Sequence, residues 1–474
     1  MARDANNYDL LRLLLALAVI FGHAGALNPR PGYIDPIHWL IGFDYSGGLA
    51  VKVFFFLSGL FVTDSMMTTR SAVRFAVMRA ARLFPGLFVC LIVTSLIVGP
   101  LFTGLPVLDY LRNPLTFHYI ATNLALTDLQ WRLPGVFTES RYGVNGSLWT
   151  LPIEIRLYVV VGLLSLLGTF VRRSSATLAI ALLAYFVLIH PDLPFGGLDA
   201  QGPVLCFLGG MAAAVHKRDL PLHAILALII WLCALAAWGN PPARALFYCA
   251  VVYSALCVFQ SPPLLRLRLP GDFSYGIYVY GFVVQQAFAA LFPTAHPLVD
   301  ALVCMPIATA VAVSSWFLVE RPALSTARRL LAVWQLTRID ARSVWIGGAW
   351  VGVAAIAVLL PRVLPLPPGS EAAVAASHDL RVVSYGPASV TQGVDFNTQP
   401  DGSSAIWVRL SRPVAPTSEI HLGTDRLPSV AVGDLVTAKV PDRIFAAAGN
   451  LDLRVVEQVG GRLYASEAVP WEVR

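Results

Sequence analysis

Charge is scarce in this chain. Only 13% of its 474 residues are Asp, Glu, Lys or Arg, against roughly 25% in a soluble globular protein. At this length the shortfall excludes a water-soluble domain, because most of the surface has to face lipid. Cysteine is sparse as well. Cys90, Cys206, Cys233, Cys249, Cys257 and Cys304 all lie in apolar runs, with no CxxC and no Cys/His spacing. That pattern excludes a disulfide framework and a zinc site, and the six read as small buried hydrophobes. The first apolar run lacks a small-residue cleavage site, so it reads as a retained helix rather than a removable leader. No soluble segment carries a basic stripe with interleaved aromatics, which sets nucleic acid aside despite a formal net charge of +6.

What the chain does have is long apolar runs. A hydrocarbon core about 30 Å thick needs about 20 apolar residues to cross. The pattern predicts eleven spans, at roughly 9–27, 48–67, 84–102, 147–168, 176–191, 201–215, 222–239, 244–260, 273–292, 298–318 and 343–361. Every even-numbered exit is arginine-rich: Arg70, Arg74, Arg79 and Arg82 after the second, Arg172 and Arg173 after the fourth, Arg321, Arg328 and Arg329 after the tenth. The opposite loops mix signs, as in Arg112 and Arg132 against Asp109 and Glu139. Basic loops stay in the cytoplasm, so the N-terminus is expected there, in a multi-pass protein of the inner (plasma) membrane. An odd span count puts the C-terminus on the far side. After Pro361 a Pro/Ala-rich linker leads to alternating stretches such as AIWVRL, DLVTAKV and LDLRVVEQV, separated by turn residues. Period-two alternation predicts a small antiparallel β-sandwich without cysteine or hydrolase signature. The expected fold is therefore an all-α polytopic bundle followed by a small all-β extracytoplasmic domain. The expected divisions are 1–335 (ten helices), 336–377 (eleventh helix and linker) and 378–474 (β domain).

Charged groups inside a span are costly and usually functional. Arg12 and His23 interrupt the first span. An offset of eleven residues returns to within about 20° of the same helix face, roughly 16 Å further along the axis. Both are therefore expected to look into one groove at different depths. In the second span Lys52 reads as an interfacial anchor or a substrate contact, and Ser58 and Gly59 let a neighbouring helix or a substrate chain pass close. In the fourth span Glu154 and Tyr158 are four apart and share a face, while Arg156 points roughly 200° away. Glu154 thus needs a partner on another helix. Arg79 and Arg82, three apart in RFAVMRAARLFP, suit a basic membrane flank or an anion site for the phosphates of a donor.

Taken together, these stretches resemble the acyltransferase-3 family of membrane acyltransferases, which modify extracytoplasmic sugars. The matching pieces are Arg12 and His23 with their ten-residue gap, FFFLSG at 54–59, the basic run at 74–85, NGSLWTLPIEIRLY at 145–158 and VERP at 319–322. The resemblance covers about residues 8–325 in order and spacing. It implies a ten-helix core with a cytoplasmic N-terminus, an essential histidine and arginine pair at His23 and Arg12, and a donor side at Arg79 and Arg82, with Ser58 beside it. Glu154 corresponds to the family's fourth-span carboxylate; where relatives often place a second acid, this chain has Ile155. Trp149, Tyr158 and Lys52 are the substrate-binding candidates. The resemblance also implies an acyl-CoA donor, by default acetyl-CoA, with no permanently bound cofactor. It implies a glycan or lipid-linked glycan acceptor, such as lipopolysaccharide or exopolysaccharide, and partners in polysaccharide export or biosynthesis. In such a reaction His23 could take the proton of a sugar hydroxyl or carry the acyl group itself. Arg12 could polarise the thioester, and Glu154 could orient His23. The rival is a transporter or flippase of a lipid-linked sugar, for which intramembrane charge is equally suited; a transporter usually carries an internal repeat, and the intramembrane charges here cluster in the first four spans.

Overall fold

Asn7 sets the first helix. Its side chain accepts from the Leu10 N–H at 3.3 Å and donates to the Leu264 carbonyl at 2.7 Å, so the cap also ties the N-terminus to a loop far along the chain. Asp9 in the first turn complements the helix dipole. The helix runs Tyr8–Leu27 and ends where the Asn28 N–H returns to the Ala24 carbonyl. The computed structural model describes residues 7–336 and 380–474 apart from 128, 141, 191–197, 218, 241, 268, 398–403, 412–413, 415–417, 424 and 460–461. The predicted eleventh span and the linker lie outside the described residues. The chain divides into two units, Met1–Pro365 and Leu366–Arg474.

The first unit is helical. Among the described residues, five helices are long and apolar enough to cross a membrane: Tyr8–Leu27, Ser46–Thr69, Ala72–Phe102, Gly146–Leu166 and Pro297–Val333. The predicted fifth to eighth spans appear as shorter apolar helices, Arg173–Ile189, Asp199–Val215, Ala224–Ala236 and Ala243–Val258. The ninth is Ser274–Leu291. Large apolar side chains such as Leu101, Leu163, Leu302 and Leu318 are exposed on the helices, as lipid contact requires. This is a multi-pass membrane protein. Among the six free cysteines, Cys90 and Cys304 are buried, whereas Cys233 and Cys249 are exposed, contrary to the expectation of six buried ones.

The third helix differs from the sequence reading. It begins at Ala72, where the Ser71 hydroxyl accepts from the Arg74 N–H at 3.2 Å. The basic run is thus helical, not a flanking loop. Arginine is a good helix former, and its charge hid the apolar face from a hydropathy window. Two π turns, Thr94–Val98 and Trp316–Glu320, break the α pattern. The Ser46–Thr69 and Leu198–Val215 helices touch backbone to backbone. A Cβ at Gly59 would come within 2.1 Å of the Phe207 carbonyl oxygen, and one at Gly210 within 2.0 Å of that of Phe56. Small residues make this approach possible.

The second unit is β. Its strands are β1 (Val382–Gly386), β2 (Ser389–Val390), β3 (Ser404–Leu410), β4 (Glu419–Leu422), β5 (Asp425–Leu427), β6 (Ser429–Val432), β7 (Leu435–Val440), β8 (Gly449–Val459), β9 (Arg462–Ala465) and β10 (Val469–Val473). One sheet has the order β1-β3-β7-β6; the other runs β2-β10-β8-β4-β5, with β9 paired to β8. Alternate residues point inward, as Ile406 and Val408 of β3 do opposite Ala438 and Val436 of β7. One buried cluster draws on both sheets and includes Ile420, Leu453 and Trp471.

Candidate active site

A cavity of about 470 Å³ opens among the first, second, third, fourth, ninth and tenth helices of the helical unit. Arg12, Ser58, Arg79, Arg82, Glu154 and Tyr158 all line it. Six of the nine side chains selected from sequence therefore converge, although they come from four separate helices.

The cations in this cavity are not equivalent. Arg82 donates to Glu320 Oε2 at 2.9 Å and to Asp272 Oδ2 at 2.6 Å. Its guanidinium also lies 5.5 Å from the ring centres of both Tyr275 and Trp316. Arg12 reaches the same Asp272 oxygen at 2.6 Å. Two arginines thus face two carboxylates, and the local charge cancels. Asp272 also accepts from the Ser274 hydroxyl and N–H. Burial acts to raise its pKa, but Arg12 and Arg82 outweigh that and hold it down at about 2. Arg82 thus lines the cavity with its charge engaged by both carboxylates.

Arg79 is different. Its guanidinium sits 5.9 Å from the Tyr158 ring centre and 6.0 Å from that of Phe75. Its Nε is buried without a hydrogen-bond partner, and no carboxylate pairs with it among the described residues. Glu154 meets no cation there either. Its Oε1 accepts from Ser58 at 3.2 Å and from the Tyr158 hydroxyl. The partner expected on another helix is therefore a hydroxyl rather than a charge. Thr150 and Tyr278 also line the cavity, with their hydroxyls 2.6 Å apart.

His23, Trp149 and Lys52 are not among the lining residues. His23 does not share a groove with Arg12: its ring meets Phe282 edge-on at 5.1 Å, and its Nδ1 is buried without a partner among the described residues. Although the helix repeat brings the two close in azimuth, eleven residues of rise separate them. Trp149 ends the short turn Gly146–Trp149, which is fixed by Asn145; that side chain accepts from the Ser147 N–H and donates to the Val279 carbonyl at 2.9 Å. Lys52 donates to Asp44 at 2.8 Å and lies over Tyr248, which donates to the same Asp44 oxygen. That network holds Lys52 as part of the framework. No group of three His, Cys, Asp or Glu side chains converges to hold a metal among the described residues.

The model of the family described as "Acyltransferase domain" matches residues 6–319. The chain belongs to this acyltransferase family. The match covers every cavity-lining residue except Leu324 and Arg328 and stops within the π turn that carries Glu320. The acyltransferase is 27% identical over 316 residues to the O-acetyl transferase of Shigella phage Sf6, covering 60% of this chain and 85% of the relative. It is 30% identical over 360 residues to nodulation protein 10 of Rhizobium leguminosarum bv. viciae, covering 69% of this chain and 95% of that one. No solved structure gives a significant match.

Sequence reasoning missed Asp272 and gave Glu320 only as part of a terminal motif. Asp272 lies in PGDFS, which reads as a solvated turn. A signal was present, since an aspartate two residues before a serine and an apolar run marks a helix start, but that signal says nothing about a partner so distant in sequence.

Proposed function

We propose that this acyltransferase moves an acyl group, by preference acetyl, from an acyl-CoA donor entering on the cytoplasmic side to a hydroxyl of an exported or cell-surface glycan. The observation that carries this reading is the unpaired Arg79 in a cavity whose other deep arginines are already neutralised. Arg79 is half-buried; a cation kept partly from water without a counter-ion is costly, and a donor phosphate would relieve that cost. Exposed Arg328 lines the same cavity and can add a second contact to phosphate. The name of one relative, an O-acetyl transferase, agrees with transfer to oxygen.

In this scheme the basic end of the helical unit faces the cytoplasm. His23 lies beyond the cavity lining, so in this scheme a path opens along the opening helix from Arg12 to His23, roughly 16 Å along the axis, and the pantetheine arm follows it. The acceptor hydroxyl oxygen attacks the thioester carbonyl carbon while His23 takes its proton. The carbon–sulfur bond then breaks, and the departing thiolate recovers the proton as coenzyme A thiol. General-base help of this kind is worth about 10²–10⁴ in rate. Arg12, steadied by Asp272, points its charge along the donor's path. The ten helices form the enzyme core, and the β unit, a sandwich on the opposite side of the membrane, is an accessory.

The test is mass spectrometry of envelope and secreted glycans from cells with the protein, without it, and with His23→Ala at equal expression. A mass difference of one acyl group that disappears in both controls is expected. Identical glycans in all three would sink the reading.

A further inference from the structure

The C-terminal end of the opening helix gathers polar atoms that the Arg79 cavity does not use. Asp300 is fully buried there. Asn28 Nδ2 donates to one of its oxygens, and Gln285 Nε2 donates to the other at 2.7 Å and to the Ile20 carbonyl at 2.9 Å. These bonds fix the orientation of both amides, with nitrogen towards the carboxylate and oxygen away from it. Asn28 is 2% exposed and Gln285 0%. Yet Asn28 Oδ1 and Gln285 Oε1 meet no donor among the described residues, and Tyr33 Oη, Asp35 Oδ2 and His23 Nδ1 are in the same condition.

These groups share one neighbourhood. A Cβ on Gly25 would come within 2.6 Å of the Tyr33 ring, so Tyr33 lies against the helix between His23 and Asn28. Tyr33 also meets His296 edge-on at 5.7 Å, one turn before Asp300. His23 packs on Phe282, three residues before Gln285 and on the same helix face. Asp35 Oδ1 is engaged by the N–H groups of Ile37 and Ser46 and by the Ser46 hydroxyl; only Oδ2 is left over.

Amide and carboxylate oxygens can only accept hydrogen bonds. Buried and unmatched, they are costly to keep, and a group of them calls for a ligand dense in donors. A sugar ring, with a hydroxyl on most carbons, has that character. We propose that Asn28, Tyr33, Asp35 and Gln285 form the acceptor subsite, seating a neutral sugar beside His23. Tyr33 and Asp35, both partly exposed, make its rim; Asn28 and Gln285 make its floor. The Asp35 and Asp300 carboxylates disfavour an acidic sugar by like-charge repulsion. This proposal rests on the reading of the chain as an acyltransferase to sugar hydroxyls.

Two substitutions leave the framework in place. Tyr33→Phe removes one hydroxyl; Asp35→Asn keeps Oδ1 and turns the unmatched acceptor into a donor. The full chain, reconstituted in lipid, is assayed with acetyl-CoA and with envelope polysaccharide from cells lacking the protein. Each variant is expected to raise the half-saturating polysaccharide concentration about tenfold, with the half-saturating acetyl-CoA concentration and the melting temperature unchanged. An unchanged polysaccharide dependence in both variants overturns the subsite. So does a lowered melting temperature with both dependences moved together, which marks a scaffold role. A melting temperature raised by calcium chloride alone, and not raised in Asp35→Asn, would make this a cation site and overturn it too. If the wild-type chain transfers nothing to polysaccharide, the functional reading fails separately. The subsite is then judged by the thermal shift with methyl β-D-glucopyranoside: a shift lost in Tyr33→Phe retains it, and no shift overturns it.

Discussion

The two ends of the opening helix solve the same problem in opposite ways. Both carry polar groups into an apolar bundle, where an uncompensated charge is costly. At the N-terminal end charge is met by charge: Arg12 and Arg82 share Asp272, and Arg82 also holds Glu320. At the C-terminal end charge is met by neutral amides, as Asn28 and Gln285 hold Asp300, and His23 packs against a phenyl ring. A neutralised end can be rigid and still leave one selected cation, Arg79, for a ligand. An end built from neutral donors leaves buried acceptor oxygens unmatched. The first arrangement suits an anionic guest and the second a hydroxylated one.

Several changes should break or sharpen this contrast. The largest effect on activity is expected from His23→Ala, with glycan acylation falling by about 10²–10⁴ while the protein still accumulates; quantitative mass spectrometry of the glycan checks it. The largest effect on stability is expected from Arg82→Ala, which strands Glu320 beside a half-matched Asp272. Breaking a buried pair costs about 3–5 kcal/mol, and a thermal melt in lipid would show it. Acid should attack the same end. The native Asp272 pKa of about 2 lies below the unfolded value, so its contribution is full above about pH 4 and lost as pH falls towards 2. It amounts to about 2 kcal/mol. Asp272→Asn should flatten that part of the stability profile measured by chemical denaturation. Arg79→Ala should act on binding alone, raising the half-saturating acyl-CoA concentration about tenfold, or about 1.4 kcal/mol. No ion pair is lost, so the melting temperature should barely move. The smallest effect is expected from deleting residues 366–474, because the family match ends at 319; transfer by the shortened chain should stay within a few-fold of the full one.

Much of this was legible in sequence, and the exceptions have physical causes. Arg12 and Glu154 stood out because charge is expensive in an apolar run, and the four-residue spacing of Glu154 and Tyr158 put the two in contact on one helix face. The start of the third helix was not legible, since charge on a helix looks like a loop to a hydropathy window; the Ser71 cap was the better guide. Asp272 was not legible because its meaning depends on partners brought near only by packing. Gln285, Asn28 and Asp300 were missed for another reason. Uncharged amides in a span resemble ordinary packing residues, and one acid at a helix start, as Asp300 is, resembles a dipole partner. The shared groove expected for Arg12 and His23 failed because a common azimuth does not bring together side chains separated by eleven residues of rise.

One oxygen of Asp272 serving two arginines also has a consequence in time. Arg82 precedes Asp272 by 190 positions and Glu320 by 238. A ribosome adding about 5–20 residues each second needs roughly 10–50 s to make the stretch between Arg82 and its last partner. Through that interval the nascent chain lacks the two carboxylates that meet Arg12 and Arg82 in the folded protein, so this ion-pair network forms only after both have been made. The knot that steadies the cavity is therefore among the last parts of the helical unit to be tied.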